Sequence, residues 1–192
     1  LEDRYPPTDM TTLAFDLGGA LTNVAGTTTI LPNGNFGPIY ETDPLTEDIW
    51  IAGLPRLHID VSTATVGGQV YALLEDCNEN GSCIHIGHAI MDLRYHEGGT
   101  GEQTWLPIFE TINAKMEFFT IDAQIPAGHT LKLSLASTGE DYLPASTSSV
   151  VTVEEGTGSN LLLDIIDPSE KILFDPPMCT HSACTDWLNQ TV

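Results

Sequence analysis

Positive charge is the scarcest commodity in this sequence. Six lysines and arginines stand against 27 aspartates and glutamates in 192 residues, a net charge of −21. A surface that grips phosphates needs clustered cations, and Arg4, Arg56, Arg94, Lys115, Lys132 and Lys171 are scattered singly, so nucleic acid is excluded as a partner and an anionic membrane surface is disfavoured. Long apolar runs are also missing. Stretches such as Leu161-Leu162-Leu163 and Ala89-Ile90-Met91 are broken by acids within a few residues, far short of the roughly 20 needed to cross a bilayer, so no membrane insertion is expected. The apolar stripe of an amphipathic helix, with its 3.6-residue period, does not occur over any useful length. The sequence begins at Leu1 with neither a methionine nor a signal-like apolar segment, from which a processed product or an excised piece is expected.

What is present is alternation. In Arg56-Leu57-His58-Ile59-Asp60-Val61-Ser62 the odd positions are apolar and the even ones polar, and His129-Thr130-Leu131-Lys132-Leu133-Ser134-Leu135 repeats the pattern. Further strands are expected at 13–17, 27–31, 49–52, 69–75, 84–95, 115–123, 149–154 and 160–166, separated by turn signals such as Pro32-Asn33-Gly34, Val66-Gly67-Gly68 and Gly98-Gly99-Thr100-Gly101. Eight or more short strands at this spacing predict an all-β chain of two packed antiparallel sheets. One domain is expected over 1–192: an N-terminal arm and lead-in strands in 1–34, a core in 35–167, and a C-terminal tail with its own cysteine loop in 168–192.

The four cysteines form two tight pairs, Cys77 with Cys83 and Cys179 with Cys184, and local disulfide pairing is the economical connectivity. Two sequons, at Asn80 and Asn189, sit beside them. Together these features predict an oxidising, extracellular or cell-surface setting. Across Asn80-Gly81, facing Cys77 and Cys83 would make each cross-strand pair sum to 160: Glu75 with His85, Leu74 with Ile86, Leu73 with Gly87, Ala72 with His88, and Val70 with Ile90. That register places His88 on a largely apolar face. Two other readings of the loop stay open. Asp76, Asn78 and Asn80 match the first oxygen ligands of a calcium loop, although Gly87 stands where a bidentate carboxylate is required. Cys77, Cys83 and His85 share a face that zinc would suit if the thiols stayed reduced.

Catalytic constellations are absent. The nearest string to a nucleophile elbow, Gly156-Thr157-Gly158-Ser159-Asn160, lacks the final glycine and any following helix, and reads as a turn between strands. His58, His85, His88, His96, His129 and His181 pair by spacing with no serine or cysteine nucleophile, so no catalytic residue is assigned. Trp50, Trp105 and Trp187, with Tyr71 and Tyr142, could stack against a sugar, but core and rim aromatics are the plainer reading.

The order of motifs from about Gly37 to Asp167 resembles the C-terminal, non-catalytic jelly-roll domain of acyl hydrolases of the X-Pro dipeptidyl-peptidase and cocaine-esterase type. The resemblance is carried by Thr42-Asp43-Pro44-Leu45-Thr46-Glu47-Asp48, Ile51-Ala52-Gly53-Leu54-Pro55-Arg56-Leu57, the strand 69–76, Leu93-Arg94-Tyr95, and above all Ile125-Pro126-Ala127-Gly128-His129-Thr130-Leu131-Lys132-Leu133. Tyr5-Pro6-Pro7 and Asp16-Leu17-Gly18 resemble the segment leading into that domain. It implies a two-sheet jelly roll, to which this chain adds extended terminal arms, and a catalytic α/β domain outside this chain. The cysteine pairs and arms depart from the family pattern. The leading functional expectation is therefore a structural subunit that associates with copies of itself as a fibre or surface layer, an arm completing a neighbour's sheet. The alternatives are an accessory domain of such a hydrolase and a calcium-stabilised carbohydrate-binding module.

Overall fold

A computed structural model describes residues 10–17, 26–97, 102–139, 141–147 and 149–166. The terminal arms, Cys179, Cys184, Trp187, His181 and Asn189 lie outside the described residues. Among the described residues there are eleven strands: β1 (Met10–Leu17), β2 (Gly26–Ile30), β3 (Ile39–Glu41), β4 (Ile49–Gly53), β5 (Arg56–Thr63), β6 (Gln69–Cys77), β7 (Cys83–Asp92), β8 (Ile112–Glu117), β9 (Ile121–Ile125), β10 (Thr130–Ala136) and β11 (Val151–Ile166). A short 3-10 turn, Leu93–Tyr95, follows β7, and no described helix is long and apolar enough to cross a membrane.

The strands form two antiparallel sheets, one of seven and one of four. The larger sheet has only four ranks, because its strands lie end to end along the 16 residues of β11. On one side β2 pairs with 151–155 and β1 with 156–166; on the other β5 pairs with 151–162 and β4 with 165–166. Outside these, β8 lies on β5 and β9 on β4. The smaller sheet runs β3-β10-β6-β7. Four ranks thus face four strands in the expected jelly-roll sandwich. Alternation explains the core between them. Leu57, Ile59 and Val61 from β5, Val70, Ala72 and Leu74 from β6, and Leu131, Leu133 and Leu135 from β10 are fully buried, each large side chain contributing about 1.5–3 kcal/mol by leaving water.

Four expectations need correction. The strand expected at 115–123 is two, because the chain steps from β5's flank to β4's, and Phe118 N–H bonds Pro55 O at the kink between those partners. The strands expected at 149–154 and 160–166 are one, so Gly156 to Asn160 is a bulge within β11 rather than a turn. Strand 84–95 ends at Asp92, where the chain coils into its 3-10 turn. The summed-to-160 register holds for Cys77–Cys83, Asp76–Ile84 and Glu75–His85, then slips by one at a β-bulge, giving Leu74–Gly87, Leu73–His88, Ala72–Ala89 and Val70–Met91. The bulge brings Gly87 and Ala89 to the core face and turns His88 to the outer face of the sheet. The lead-in strands β1 and β2 pair with β11 and so join the larger sheet.

Candidate functional site

The loop that opens the question of chemistry is a stapled hairpin tip. Cys77 and Cys83 form a disulfide with Cα atoms 4.0 Å apart. Inside it, Asn78 Oδ1 accepts from the backbone N–H groups of Asn80 and Ser82, both at 3.0 Å, and Asn80 stands exposed at the tip. Asp76 turns to a neighbouring segment: its Oδ1 meets Nδ1 of His129, the residue just before β10, at 2.7 Å. One oxygen of Asp76 and that of Asn78 are thus already engaged by protein donors. Among the described residues no group of three histidines, cysteines or acids is placed to hold a metal ion.

Ser159, the residue nearest to a nucleophile, is completely buried in the β11 bulge. Its Oγ accepts from Asp60 N at 2.9 Å and donates to Glu154 O at 2.5 Å, satisfying two backbone groups that the bulge leaves out of the ladder. Gly156 takes φ +115°, which a side chain would resist. The histidines do not converge on it. His58 lies on the outer face of β5, and burial, then the charges of Lys115 and Arg56, lower its pKa. His96 Nδ1 meets Leu93 O at 3.0 Å.

His85 and His88 come together although no spacing signal links them to a partner. On the outer face of the four-stranded sheet, His85 Nε2 and His88 Nδ1 are 3.1 Å apart, and His88 Nε2 is 2.8 Å from the Tyr142 hydroxyl. Burial first, then the neighbouring His85 charge, lower the His88 pKa against the pull of Asp141. Tyr71 lies beside them, its ring centroid 5.8 Å from His88, 5.9 Å from Tyr142 and 6.2 Å from Phe36. Gly139 permits this: a Cβ there would sit 2.6 Å from the Tyr71 ring. The result is a groove of about 600 Å³, floored by rings and rimmed by Asn33, Asn35, Thr138 and Asp141.

A second feature gathers at the end of the sandwich where β5 and β7 finish and β6, β8 and β11 begin. Leu106 N bonds Val66 O, Phe109 N bonds Thr63 O and Ala64 N bonds Val150 O, tying three loops together. Gln69 Nε2 brings in Leu143 through its carbonyl at 3.4 Å. These loops expose Trp105 (61%), Phe109 (76%) and Leu143 (90%), with Val66 and Ile108 beside them. Phe109 is also held at φ +61°, alone among the described non-glycine residues, a conformation that costs a bulky side chain about 1–2 kcal/mol. Beneath Trp105 lies the Arg94 guanidinium, 5.7 Å from the ring, itself clamped by Asp92 through Nε and Nη2. Burial raises the Asp92 pKa, and the hydrogen bonds and charge of Arg94 outweigh it, leaving the carboxyl below its ordinary value. Phe36, Phe109 and Asp141 carry no signal in the sequence, since an exposed side chain in a loop has no periodicity; for His85 and His88 it is the pairing of β6 with β7 that shows which residues share a face.

Comparison with known proteins agrees with this architecture. No curated protein matches the sequence. Among solved structures, a CocE/NonD family hydrolase from Staphylococcus aureus superposes with a TM-score of 0.73 at 11% identity, over 85% of this chain and 38% of that one. An aminopeptidase from the marine sediment archaeon Thaumarchaeota archaeon gives 0.69 at 12% identity, over 86% and 38%, and an α-amino acid ester hydrolase 0.58 at 19% identity, over 67% and 25%. The chain therefore spans well under half the length of these enzymes, and identities this low speak to fold alone. The family model for the X-Pro dipeptidyl-peptidase C-terminal non-catalytic domain matches residues 9–164. It accords with a serine locked in a bulge and with histidines that serve no nucleophile, and it favours the accessory reading over the self-assembling one. With four-fifths of its length matched and the sandwich in place, this chain belongs to the family of X-Pro dipeptidyl-peptidase C-terminal non-catalytic domains.

Proposed function

We propose that this chain is the accessory module of a serine hydrolase of the X-Pro dipeptidyl-peptidase and cocaine-esterase type, docking on a catalytic α/β domain and bracing it. The observation that carries the reading is the family match over residues 9–164, to a domain described as C-terminal and non-catalytic. The loop end with Trp105, Ile108, Phe109 and Leu143 is the docking face. Exposed aromatics at such density form the centre of an interface, and a backbone strained to project Phe109 is explained when a partner covers the ring. Glu97, Glu102 and Glu110 border this end in sequence, so the partner surface is apolar with a basic rim. The same charge makes a second copy of this chain a poorer occupant. The setting is extracellular or at the cell surface, supported by the Cys77–Cys83 disulfide and the exposed sequon at Asn80. Calcium at Asp76, Asn78 and Asn80 forms no part of the reading, given the bonds that one oxygen of Asp76 and that of Asn78 already make.

The test is to isolate the protein from its native source with an antibody against this chain and treat the isolate with a fluorophosphonate probe for serine nucleophiles. A labelled α/β domain, in the same polypeptide or bound to it, is expected, with binding weakened by Phe109→Asp. Recovery of the chain as a homo-oligomer with nothing labelled refutes the proposal.

A further inference from the structure

We infer that the groove on the outer face of the four-stranded sheet is a binding site for a neutral carbohydrate. It lies apart from the docking loops, and its chemistry narrows the ligand by elimination. No lysine or arginine lines it, while Asp141 does, in a chain of net charge −21; phosphates, sulfated sugars and acidic peptides are repelled. The facing nitrogens of His85 and His88 are in hydrogen-bond contact with one another, and among the described residues no third histidine, cysteine or acid joins them as a metal ligand. A purely aliphatic ligand would strand the rim amides and carboxylate without partners.

A sugar satisfies both halves of the site. Its C–H faces pack on the electron-rich faces of aromatic rings, and here Phe36, 47% exposed, and Tyr142 flank the buried Tyr71. Its hydroxyls both donate and accept, matching amides at Asn33 and Asn35, the Asp141 carboxylate and the imidazole edges. The His85–His88–Tyr142 chain fixes the orientation of those edges before any ligand arrives. The volume of about 600 Å³ falls within the range of small-molecule sites. Of the aromatics that suggest sugar stacking in the sequence, Tyr71 and Tyr142 meet here. Trp50 is engaged with Asp122 on the larger sheet, and Trp105 stacks on Arg94 at the loop end.

The experiment is an NMR titration of the full 192-residue chain with neutral sugars (glucose, galactose, mannose, xylose and their short oligomers) at millimolar concentrations, beside a sulfated oligosaccharide. Saturable shifts confined to the groove are expected for at least one neutral sugar and none for the sulfated one. Phe36→Ala should weaken binding at least tenfold while leaving the thermal midpoint close to wild type, because its ring is half in solvent. Gly139→Ala should abolish binding by driving the Tyr71 ring into the groove. Absence of groove shifts from every neutral sugar, preference for the sulfated ligand, or binding indifferent to Phe36→Ala in a folded variant overturns the inference. Failure here leaves the accessory role untouched, since that role is read at the Trp105 and Phe109 end.

Discussion

Replacing Ser159 by alanine removes one oxygen and should cost this domain more than the loss of most surface residues. The hydroxyl is the partner of Asp60 N and Glu154 O in a site with no solvent exposure. Water does not reach that position to replace it, so each orphaned backbone group forfeits about 1–3 kcal/mol, and both together about 2–6 kcal/mol. In urea, with m of about 2 kcal/mol/M for a domain of this class, the midpoint should fall by roughly 1–3 M with m unchanged. Thr157→Ala, at an exposed position of the same bulge, should stay within about 0.5 kcal/mol of wild type. Equilibrium urea unfolding followed by far-UV circular dichroism compares all three proteins. If Ser159→Ala behaves like Thr157→Ala, the bulge does not depend on this hydroxyl, and the structural role assigned to the one motif resembling a nucleophile elbow is wrong.

Three further outcomes are expected. Replacing Cys77 and Cys83 together by serine opens a loop with a sequence separation of 6, and chain entropy puts the loss at about 2 kcal/mol; a thermal midpoint unchanged by the substitution or by reductant would count against the staple. Phe109→Gly should raise the isolated chain's stability by about 1 kcal/mol, by relieving φ +61°, while weakening attachment to the proposed catalytic partner, so a destabilised variant would show that the ring packs inward. For pH, His58 and His88 have folded-state pKa values below the ordinary 6.5, so on acidification the unfolded chain binds protons first. Stability should decline as pH falls below about 6.5 and level off once the folded imidazoles titrate. A His58→Gln/His88→Gln double variant should lose that slope, and retention of the full slope would assign it to other groups.

The strands were legible in the sequence wherever one face is buried and the other wet. The alternation in β5 and β10 specifies their faces residue by residue, and the cysteines locate the hairpin tip correctly. Legibility stopped where the chain departs from period two. One extra residue at the β7 bulge turns Gly87 and Ala89 to the core and moves His88 to the opposite face, and no feature of the Leu74 to His88 pattern announces it. Phe118-Phe119 continues an apolar run across a change of strand partner, because an apolar residue suits a corner as well as a strand. Ile39 to Glu41 was overlooked, being too short to alternate. The groove was invisible for a different reason: Phe36, Tyr71, His88 and Tyr142 come from separate segments, and only the pairing of β6 with β7 and the placement of Gly139 against Tyr71 unite them.

One strand is paired along both of its edges in the larger sheet, and it is the last of the described strands to leave the ribosome. Until β11 emerges, β1 and β2 have no neighbour to pair with, and the β4–β9 and β5–β8 pairs have nothing to join them. Such long-range closure is slow. Nascent chains ending before Val151 therefore carry unjoined strand pairs with open edges, and a stop codon or proteolytic nick within the final fifth of the described residues should yield a protein that clumps rather than one that merely loses its tail.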